Sequence, residues 1–288
     1  NLNIVGDLDS ALSNNLLDVY YQPKINFKTN KVDSVEALLR WNHAERGFVS
    51  PERFIGVAEE SGLIVQLGEW VIREALSEAA NWSEHLTVAV NLSPTQLRSD
   101  RLLPTIVNAL SHSGIDPSRL EIEITESVLL DKGEEHLAKL HRMRDLGIRI
   151  ALDDFGTGYS SLSYLRSFPF DKIKIDRCFV DGIAESEGNQ AIVEAVLSLA
   201  DDLDMVTTAE GVETEDQLRV LVAKGCKQVQ GFLYSRAMPA EELGYGPVHK
   251  AVPGVTVEIG SAKLRAKTQR RKAGTILTDQ PVRRKTAS

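Results

Sequence analysis

Six polar side chains stand where short apolar runs of the sequence end, and together they could bind a divalent cation. Each lies at or near the C-terminal end of a strand candidate, the edge where barrels and open parallel sheets build their active sites. Without cations, carboxylates packed together would take up protons or destabilise the fold. Carboxylate and amide oxygens suit Mg²⁺ or Mn²⁺, whereas the scattered histidines contain no HExxH-like pair for zinc. The six residues are Asn91, Glu123, Asp153, Asp176, Glu210 and Gln230.

Two of the carboxylates in this part of the sequence are adjacent. Asp153 and Asp154 end an apolar run and are followed by Gly156 and Gly158 in "IRIALDDFGTGYSSL". Neighbouring side chains of an extended strand point to opposite faces, so both aspartates can face one site only if the chain bends there. The glycines supply the backbone freedom that such a bend and the loop after it require.

The elements that must position these residues alternate between strands and helices, which predicts a parallel sheet covered by helices. Eight strands favour an α/β fold of the (β/α)8 barrel type, and a doubly wound open sheet is the alternative. The connection over 26–33 is too short for a crossover helix, so the first two strands should be antiparallel. The strand candidates are 19–22, 35–40, 87–91, 120–125, 149–153, 172–176, 206–210 and 228–232. The helix candidates are 50–62 (with Ser50 as N-cap and Gly62 as stop), 63–83, 100–113, 134–146, 189–203 and 214–224.

Composition and charge limit the classes of function. The net charge of −8 combines +8 from residues 249–288, with ten Lys/Arg and two Asp/Glu, and −16 from the rest. An acidic body argues against a DNA or RNA duplex as partner. We expect a barrel domain over 1–248 and a basic, flexible tail over 249–288, with phosphate or membrane binding as the tail's alternative role.

The apolar runs, the cysteines and the first residue of the sequence indicate where the protein is located in the cell and whether it is part of a longer chain. No apolar run approaches the length of a transmembrane segment and no signal peptide is recognisable. Cys178 and Cys226 lack CxxC spacing and are typical of reduced thiols. We therefore expect a cytoplasmic location. Because the chain begins with Asn1 rather than Met, we expect it to be part of a longer protein, which could be membrane-anchored.

Eight short motifs follow one another in an order that resembles a known family. The chain is similar to EAL domains, bacterial phosphodiesterases that hydrolyse cyclic di-GMP, and the resemblance runs from about Leu8 to Leu243. The motifs are "YYQP" (20–23), "EALLRW" (36–41), "NLSP" (91–94), "EITES" (123–127), "DDFGTGYSSL" (153–162), "KIKIDRCFV" (172–180), "AEGVET" (209–214) and "VQGF" (229–232).

The resemblance implies a role for each matching residue. The first-metal ligands would be Glu36, Asn91, Glu123 and Asp153. Asp153 would be shared with a second metal that Asp154 also binds, and Asp176 and Glu210 would belong to the same metal and water network. The catalytic set would be Lys174, Glu210, Glu36 and Asp153, with Gln22, Arg40 and Gln230 binding substrate. Glu213 would be a supporting residue, and Glu126 would hold the loop that contains Gly156 and Gly158.

The implied reaction is hydrolysis of cyclic di-GMP to linear 5′-pGpG with two Mg²⁺ or Mn²⁺ ions, Ca²⁺ being inhibitory. Two metals lower the pKa of a water and stabilise charge on the attacking and leaving oxygens of a phosphodiester. The residue that takes the proton, Lys174 or a carboxylate such as Glu210, is left open at this point. The alternative function is a catalytically silent receptor for cyclic di-GMP. The resemblance also implies a homodimer and an upstream sensory or GGDEF domain outside this chain.

Overall fold

A closed ring of eight strands forms the centre of the molecule. The computed structural model describes residues 4–27, 29, 31–130, 133–157, 165 and 168–243. Strand β3 (Gly47–Val49) pairs with β2 outside the ring. The ring strands are β1 (Leu17–Asn26), β2 (Lys31–His43), β4 (Thr87–Asn91), β5 (Leu120–Thr125), β6 (Arg149–Phe155), β7 (Lys172–Ile175), β8 (Val206–Ala209) and β9 (Gln228–Val229).

The direction of β1 distinguishes this ring from a regular barrel. β1 pairs antiparallel with both β2 and β9, and the other neighbours in the ring are parallel. Because β1 forms hydrogen bonds with both β2 and β9, the sheet has no open edge there. The alternative prediction of a doubly wound open sheet is therefore wrong. The barrel and its antiparallel first strand are confirmed. Strands β7, β8 and β9 end before the predicted boundaries, so Asp176, Glu210 and Gln230 lie just beyond them.

Helices cover the outside of the ring, as predicted, and α1, the short helices α4, α6 and α8, and β3 are additions that the sequence patterns did not reveal. The helices are α1 (Ile4–Ser13), α2 (Pro51–Ser61), α3 (Ile64–Ala79), α4 (Pro94–Arg98), α5 (Leu102–Ser113), α6 (Ser127–Leu130), α7 (Gly133–Asp145), α8 (Arg177–Val180), α9 (Glu187–Asp202) and α10 (Glu215–Ala223). Two single 3₁₀ turns cover Pro117–Arg119 and Ala240–Glu242.

Local chemistry explains several helix ends. Gly62 stops α2 in the left-handed conformation with φ of 78°, as the sequence predicts. Ser50 precedes α2, but its side chain makes no capping hydrogen bond; Pro51 starts the helix instead. Reciprocal capping boxes begin α4 and α10, from Ser93 and Thr214 respectively.

Two apolar clusters hold the layers together. The larger lies between the ring and its helices, and the smaller lies where α1, α2 and α3 meet β2 and β3. Trp41 is fully buried in the smaller one and meets Phe54 edge-on at 5.6 Å between ring centroids. Trp82 packs edge-on against Tyr21 in the larger one, at 5.1 Å. These tryptophans therefore serve packing.

The described residues end at 243, so the predicted tail, 249–288, lies outside them and the boundary at 248 stays a prediction. Among the described helices, none combines the length and apolarity that crossing a bilayer requires.

Gly231 provides a test of how tightly the loops at the end of β8 and β9 fit. A Cβ atom there would lie 2.1 Å from the carbonyl oxygen of Val212. We expect Gly231→Ala to cost about 1–3 kcal/mol through overpacking, measured as a lower Tm. Gly56→Ala is the control, because its Cβ would meet nothing within 4 Å on α2, and alanine should stabilise that helix slightly. Equal melting temperatures for the two variants would contradict the close approach.

Candidate active site

A cleft opens at the ends of the ring strands, and its floor is a buried ammonium group. Lys174, at 1% side-chain exposure, lies 2.6 Å from Glu123, 2.9 Å from Asp153 and 2.6 Å from Glu210, measured from Nζ to the nearest carboxylate oxygen. Glu36 lies at 3.8 Å. Charged side chains from four strands, β2, β5, β6 and β7, and from the residue that follows β8 thus meet at one point. Among the described ion pairs of Lys174, none is with Asp176, two residues further along the chain.

The carboxylates decide the charge state of Lys174. Burial lowers the pKa of its ammonium, but Asp153, Glu123 and Glu210 outweigh burial, and the pKa lies well above its ordinary value. Lys174 is therefore a cation here, and each of its short contacts is a charge-assisted hydrogen bond.

Asp153, Asp154 and Glu210 form a compact group in which the ligand oxygens all lie within 4.8 Å of one another. Asp154 makes this possible with a φ of 54°, and the pairing of β6 with β7 shifts between Leu152 and Phe155. This bend turns two consecutive side chains toward one site, as their adjacency requires. A non-glycine residue in the left-handed region is strained, and such strain is concentrated at functional sites.

These carboxylates have too few cations around them. Burial raises the pKa of Asp153 to about 6, and Lys174 offsets this only in part against Glu123 and Glu36. Burial likewise raises the pKa of Glu210 to about 8, with Lys174 opposing and Asp153 and Glu36 reinforcing. The pKa of Asp154 is also raised, by burial and then by Asp176. A bound divalent cation would supply the missing positive charge.

A second layer of charges lies deeper in the barrel and was missed by the sequence analysis. It consists of Lys24, Glu121 and Lys172, at 0%, 1% and 5% exposure. Alternation could have revealed it: Lys24, Glu121 and Lys172 each lie two residues from Gln22, Glu123 and Lys174 on the same strands, and therefore on the same face. Lys174, the four carboxylates around it and this deeper layer together make five carboxylates and three ammonium groups. They are Glu36, Glu121, Glu123, Asp153 and Glu210, and Lys24, Lys172 and Lys174.

Amide groups hold Glu36 at the rim of the cleft. Asn91 Nδ2 donates to Glu36 Oε1 at 2.6 Å, and Gln230 Nε2 donates to Glu36 Oε2 at 2.6 Å and to Gln22 Oε1 at 3.0 Å. Gln22 in turn donates to the carbonyl oxygen of Ser235 at 3.0 Å. The carboxylate and the two glutamines are therefore one connected, oriented unit.

The remaining predicted residues surround this centre. Asp176 accepts a hydrogen bond from the backbone N–H of Cys178 at 2.9 Å and so caps α8, beside Asp154. Glu213 pairs with Arg177 at 3.1 Å on the wall of the cleft. Asp176 and Glu213 are thus beside the carboxylate group rather than inside it.

Glu126 joins the ends of β5 and β6. Its Oε1 accepts a hydrogen bond from Gly156 N at 3.2 Å. Gly156 has a φ of 95°, and a Cβ there would lie 2.8 Å from the ring of Phe179, so both conformation and space require glycine. Gly158 lies outside the described residues.

Arg40 lies in a neighbouring groove and not among the carboxylates. This groove, here called the basic aromatic groove, is lined by Tyr20, Arg40, Asn42, Phe48, Phe232, Arg236 and Ala237. Phe232 also lines the carboxylate cleft, so the two are continuous. The Arg236 guanidinium lies 3.9 Å from the centroid of the Phe232 ring. Exposed phenylalanines such as Phe48 (60%) and Phe232 (43%) are unusual on a surface. These aromatic and basic neighbours of Arg40 were not predicted from the sequence.

Comparisons with known proteins agree with one another. The sequence profile of the EAL domain family matches residues 5–237. A protein of Sinorhizobium fredii known as uncharacterized protein y4lL is 51% identical over 235 residues, which are 82% of this chain and 28% of that protein. The bifunctional diguanylate cyclase/cyclic di-GMP phosphodiesterase MucR of Pseudomonas aeruginosa is 42% identical over 246 residues, 84% of this chain and 36% of MucR. The chain thus spans about a third of the length of these relatives.

The chain is also similar in fold to a solved structure. It is described as the PaMucR phosphodiesterase in complex with c-di-GMP and is 41% identical in sequence. The superposition has a TM-score of 0.81 and covers 84% of this chain and all of that one.

The carboxylate group predicts that divalent cations stabilise the protein. At 100 times its Kd, a cation should add about 2.7 kcal/mol, which raises the Tm of a domain this size by about 5–10 °C. The measurement is thermal unfolding with Mg²⁺ or Mn²⁺, and with K⁺ at matched ionic strength to account for screening. Asp153→Asn should lose most of the increase. A rise of the same size with K⁺ would show that general screening is the cause.

Proposed function

The chain belongs to the EAL domain family, and from this we propose that it is a divalent-metal-dependent phosphodiesterase that hydrolyses cyclic di-GMP to linear 5′-pGpG. The observation that carries the proposal is the group formed by Asp153, Asp154 and Glu210, whose ligand oxygens lie within 4.8 Å of one another. This group opens toward the basic aromatic groove through Phe232. A cation site thus adjoins a surface suited to an anionic, aromatic ligand.

The residues present fit hard divalent cations. All the donors are carboxylate or amide oxygens, and the two charged layers around and below Lys174 hold five carboxylates against three ammonium groups. We assign Glu36, Asn91, Glu123 and Asp153 to one Mg²⁺ or Mn²⁺, and Asp153 and Asp154 to a second, with Asp176 and Glu210 completing the network. When bound, the two metals lower the pKa of the attacking water and stabilise charge on the oxygens of the phosphodiester.

Lys174 and Glu210 form the pair to which we assign transfer of the attacking water's proton. Nζ of Lys174 and the Oε1 atom of Glu210 are 2.6 Å apart, a distance at which a proton can pass between them. Because Lys174 is already a cation, we assign acceptance of the water's proton to Glu210, with Lys174 as its ion-pair partner. Glu36 and Asp153 complete the catalytic set by fixing the charge around Lys174.

The basic aromatic groove offers binding to both parts of a cyclic dinucleotide. Arg40 and Arg236 carry the positive charge that two phosphates require, and Phe232, which is 43% exposed, supplies an aromatic ring for stacking a base. Gln22 and Gln230 line the carboxylate cleft between the groove and Glu36, and we assign them to substrate contact. The two arginines that would attract the anionic ligand thus lie beside the carboxylates and not among them.

The backbone of the loop after β6 sets the direction of the Asp154 side chain. Asp154 has its strained conformation one residue before Phe155, and Gly156 N is held by Glu126. We propose that this hydrogen bond keeps Asp154 directed at the second metal. Glu213, paired with Arg177, supports the opposite wall of the cleft.

Several expectations from the family resemblance stay predictions. They are the homodimer, an upstream sensory or GGDEF domain in a longer protein, the cytoplasmic location, and Ca²⁺ as an inhibitory ion.

Turnover of cyclic di-GMP is the direct test. The protein should form 5′-pGpG with Mg²⁺ or Mn²⁺, lose activity on chelation and turn over poorly with Ca²⁺, as measured by chromatography of the products. Asp153→Asn should lower kcat by more than about 100-fold, since even groups behind metal ligands cost about 10–100-fold.

Lys227→Asp is the matched control for that substitution. Lys227 pairs with Asp201 at 2.6 Å on the surface, away from the cleft, so activity should persist. Tight binding of cyclic di-GMP without product, with either metal, would identify a receptor instead of an enzyme. Equal losses in both variants would contradict the assigned site.

Phe232→Ala tests the groove as the site of base stacking. Stacking on an aromatic side chain contributes about 1–3 kcal/mol per base, so KM should rise by about 5- to 150-fold while kcat changes little. Val222→Ala, an exposed apolar residue on α10, is the control and should change neither constant. A change confined to kcat would place Phe232 in the chemistry rather than in binding.

A further inference from the structure

We propose that Lys24 is a positioning residue that restricts Glu123 to one coordinating oxygen and thereby selects Mg²⁺ over Ca²⁺. The inference rests on the metal site of the proposed function. It assigns a role to a side chain on β1 that lies in none of the ligand positions discussed above.

The two oxygens of Glu123 have different partners. Its Oε1 accepts a short hydrogen bond from Lys24 Nζ, and its Oε2 accepts one from Lys174 Nζ at 2.6 Å. Glu123 is 1% exposed and Lys24 is 0% exposed, so water does not compete for either contact. Oε1 is therefore held from the deeper layer, and Oε2 is held by the lysine that also pairs with Asp153 in the cleft.

Lys24 approaches Glu123 from the deeper layer. Its Nζ also lies 3.3 Å from Glu121 Oε1, and Glu121 precedes Glu123 by two residues on β5, a displacement of about 6.6 Å along a strand. On β1, Gln22 pairs with Glu36 at the rim, whereas Lys24 pairs with Ser34 one layer deeper. The ammonium group therefore holds the side of Glu123 that points away from the cleft.

A second lysine of the deeper layer pairs with Glu121. Lys172 Nζ lies 2.7 Å from Glu121 Oε2, and so provides Glu121 with a partner of its own. Lys172 contacts Glu121 and not Glu123 among the described ion pairs.

Coordination chemistry turns this arrangement into selectivity. Ca²⁺ takes six to eight oxygens in flexible geometry and often binds a carboxylate through both oxygens, whereas Mg²⁺ requires near-octahedral geometry at short distances. With Oε1 held by Lys24, Glu123 offers a metal only Oε2, the oxygen that it shares with Lys174. This restriction leaves Mg²⁺ satisfied and removes a ligand from Ca²⁺.

The test is the ratio of the Ca²⁺ and Mg²⁺ dissociation constants, measured by titration calorimetry on the metal-free chain without substrate. Lys24→Met should shift the ratio toward Ca²⁺ by about tenfold, the scale of substitutions behind metal ligands. Lys24→Gln keeps a polar buried side chain without the charge and should shift the ratio in the same direction by less. It keeps the test valid if Lys24→Met does not fold.

Lys172→Met is the matched control. It removes an ammonium group from the same layer, so it changes the general electrostatics while leaving Glu123 Oε1 paired. Its Ca²⁺/Mg²⁺ ratio should equal that of the unsubstituted chain. Equal shifts in Lys24→Met and Lys172→Met, or unchanged ratios in both Lys24 variants, would overturn the inference.

Failure of the inference and failure of the proposed function are distinguishable. A chain that binds Mg²⁺ with the expected selectivity but forms no 5′-pGpG would refute the hydrolase while supporting the role of Lys24. A chain that binds neither cation would overturn both.

Discussion

Burial of charge at the centre of the barrel is the constraint on which the rest of the structure depends. Ion pairs taken out of water repay their desolvation only when the geometry is good and every partner is engaged. Lys174 meets this condition with three carboxylates within 2.9 Å, and Lys24 and Lys172 meet it with Glu121 and Glu123. A closed ring of strands can direct that many charged side chains to one axis, because its inward positions come from every strand.

The positive and negative charges inside the barrel do not cancel layer by layer. The deeper layer carries two lysines and one glutamate, and the layer at the cleft carries Lys174 among several carboxylates. Positive charge is thus concentrated below and negative charge above, which leaves an unmet demand for cations at the open end. The arginines stand in the neighbouring groove, where they can attract an anion without neutralising the carboxylates.

Two backbone features set the direction of these side chains. The antiparallel course of β1 places Gln22 at the rim and Lys24 one layer deeper as the chain proceeds. At the end of β6, the left-handed conformation of Asp154 brings two neighbouring carboxylates to the same side. The strain in that bend is sustained by Glu126 holding Gly156, and by the space beside Phe179 that glycine alone leaves open.

The sequence by itself determined the barrel, its antiparallel first strand and the residues at the strand ends, because these follow from periodicity, loop length and ordered motifs. It also required a bend at Asp153 and Asp154, since alternation forbids two adjacent side chains on one face. Only the tertiary structure decided which charges meet. The pairing of Lys24 with Glu123 joins residues 99 positions apart, and Arg40 and Phe232, which are far apart in the sequence, line the same groove. A lysine on a strand has the same local pattern whether it faces solvent or a buried glutamate, and the closure of the ring is what determines its partner.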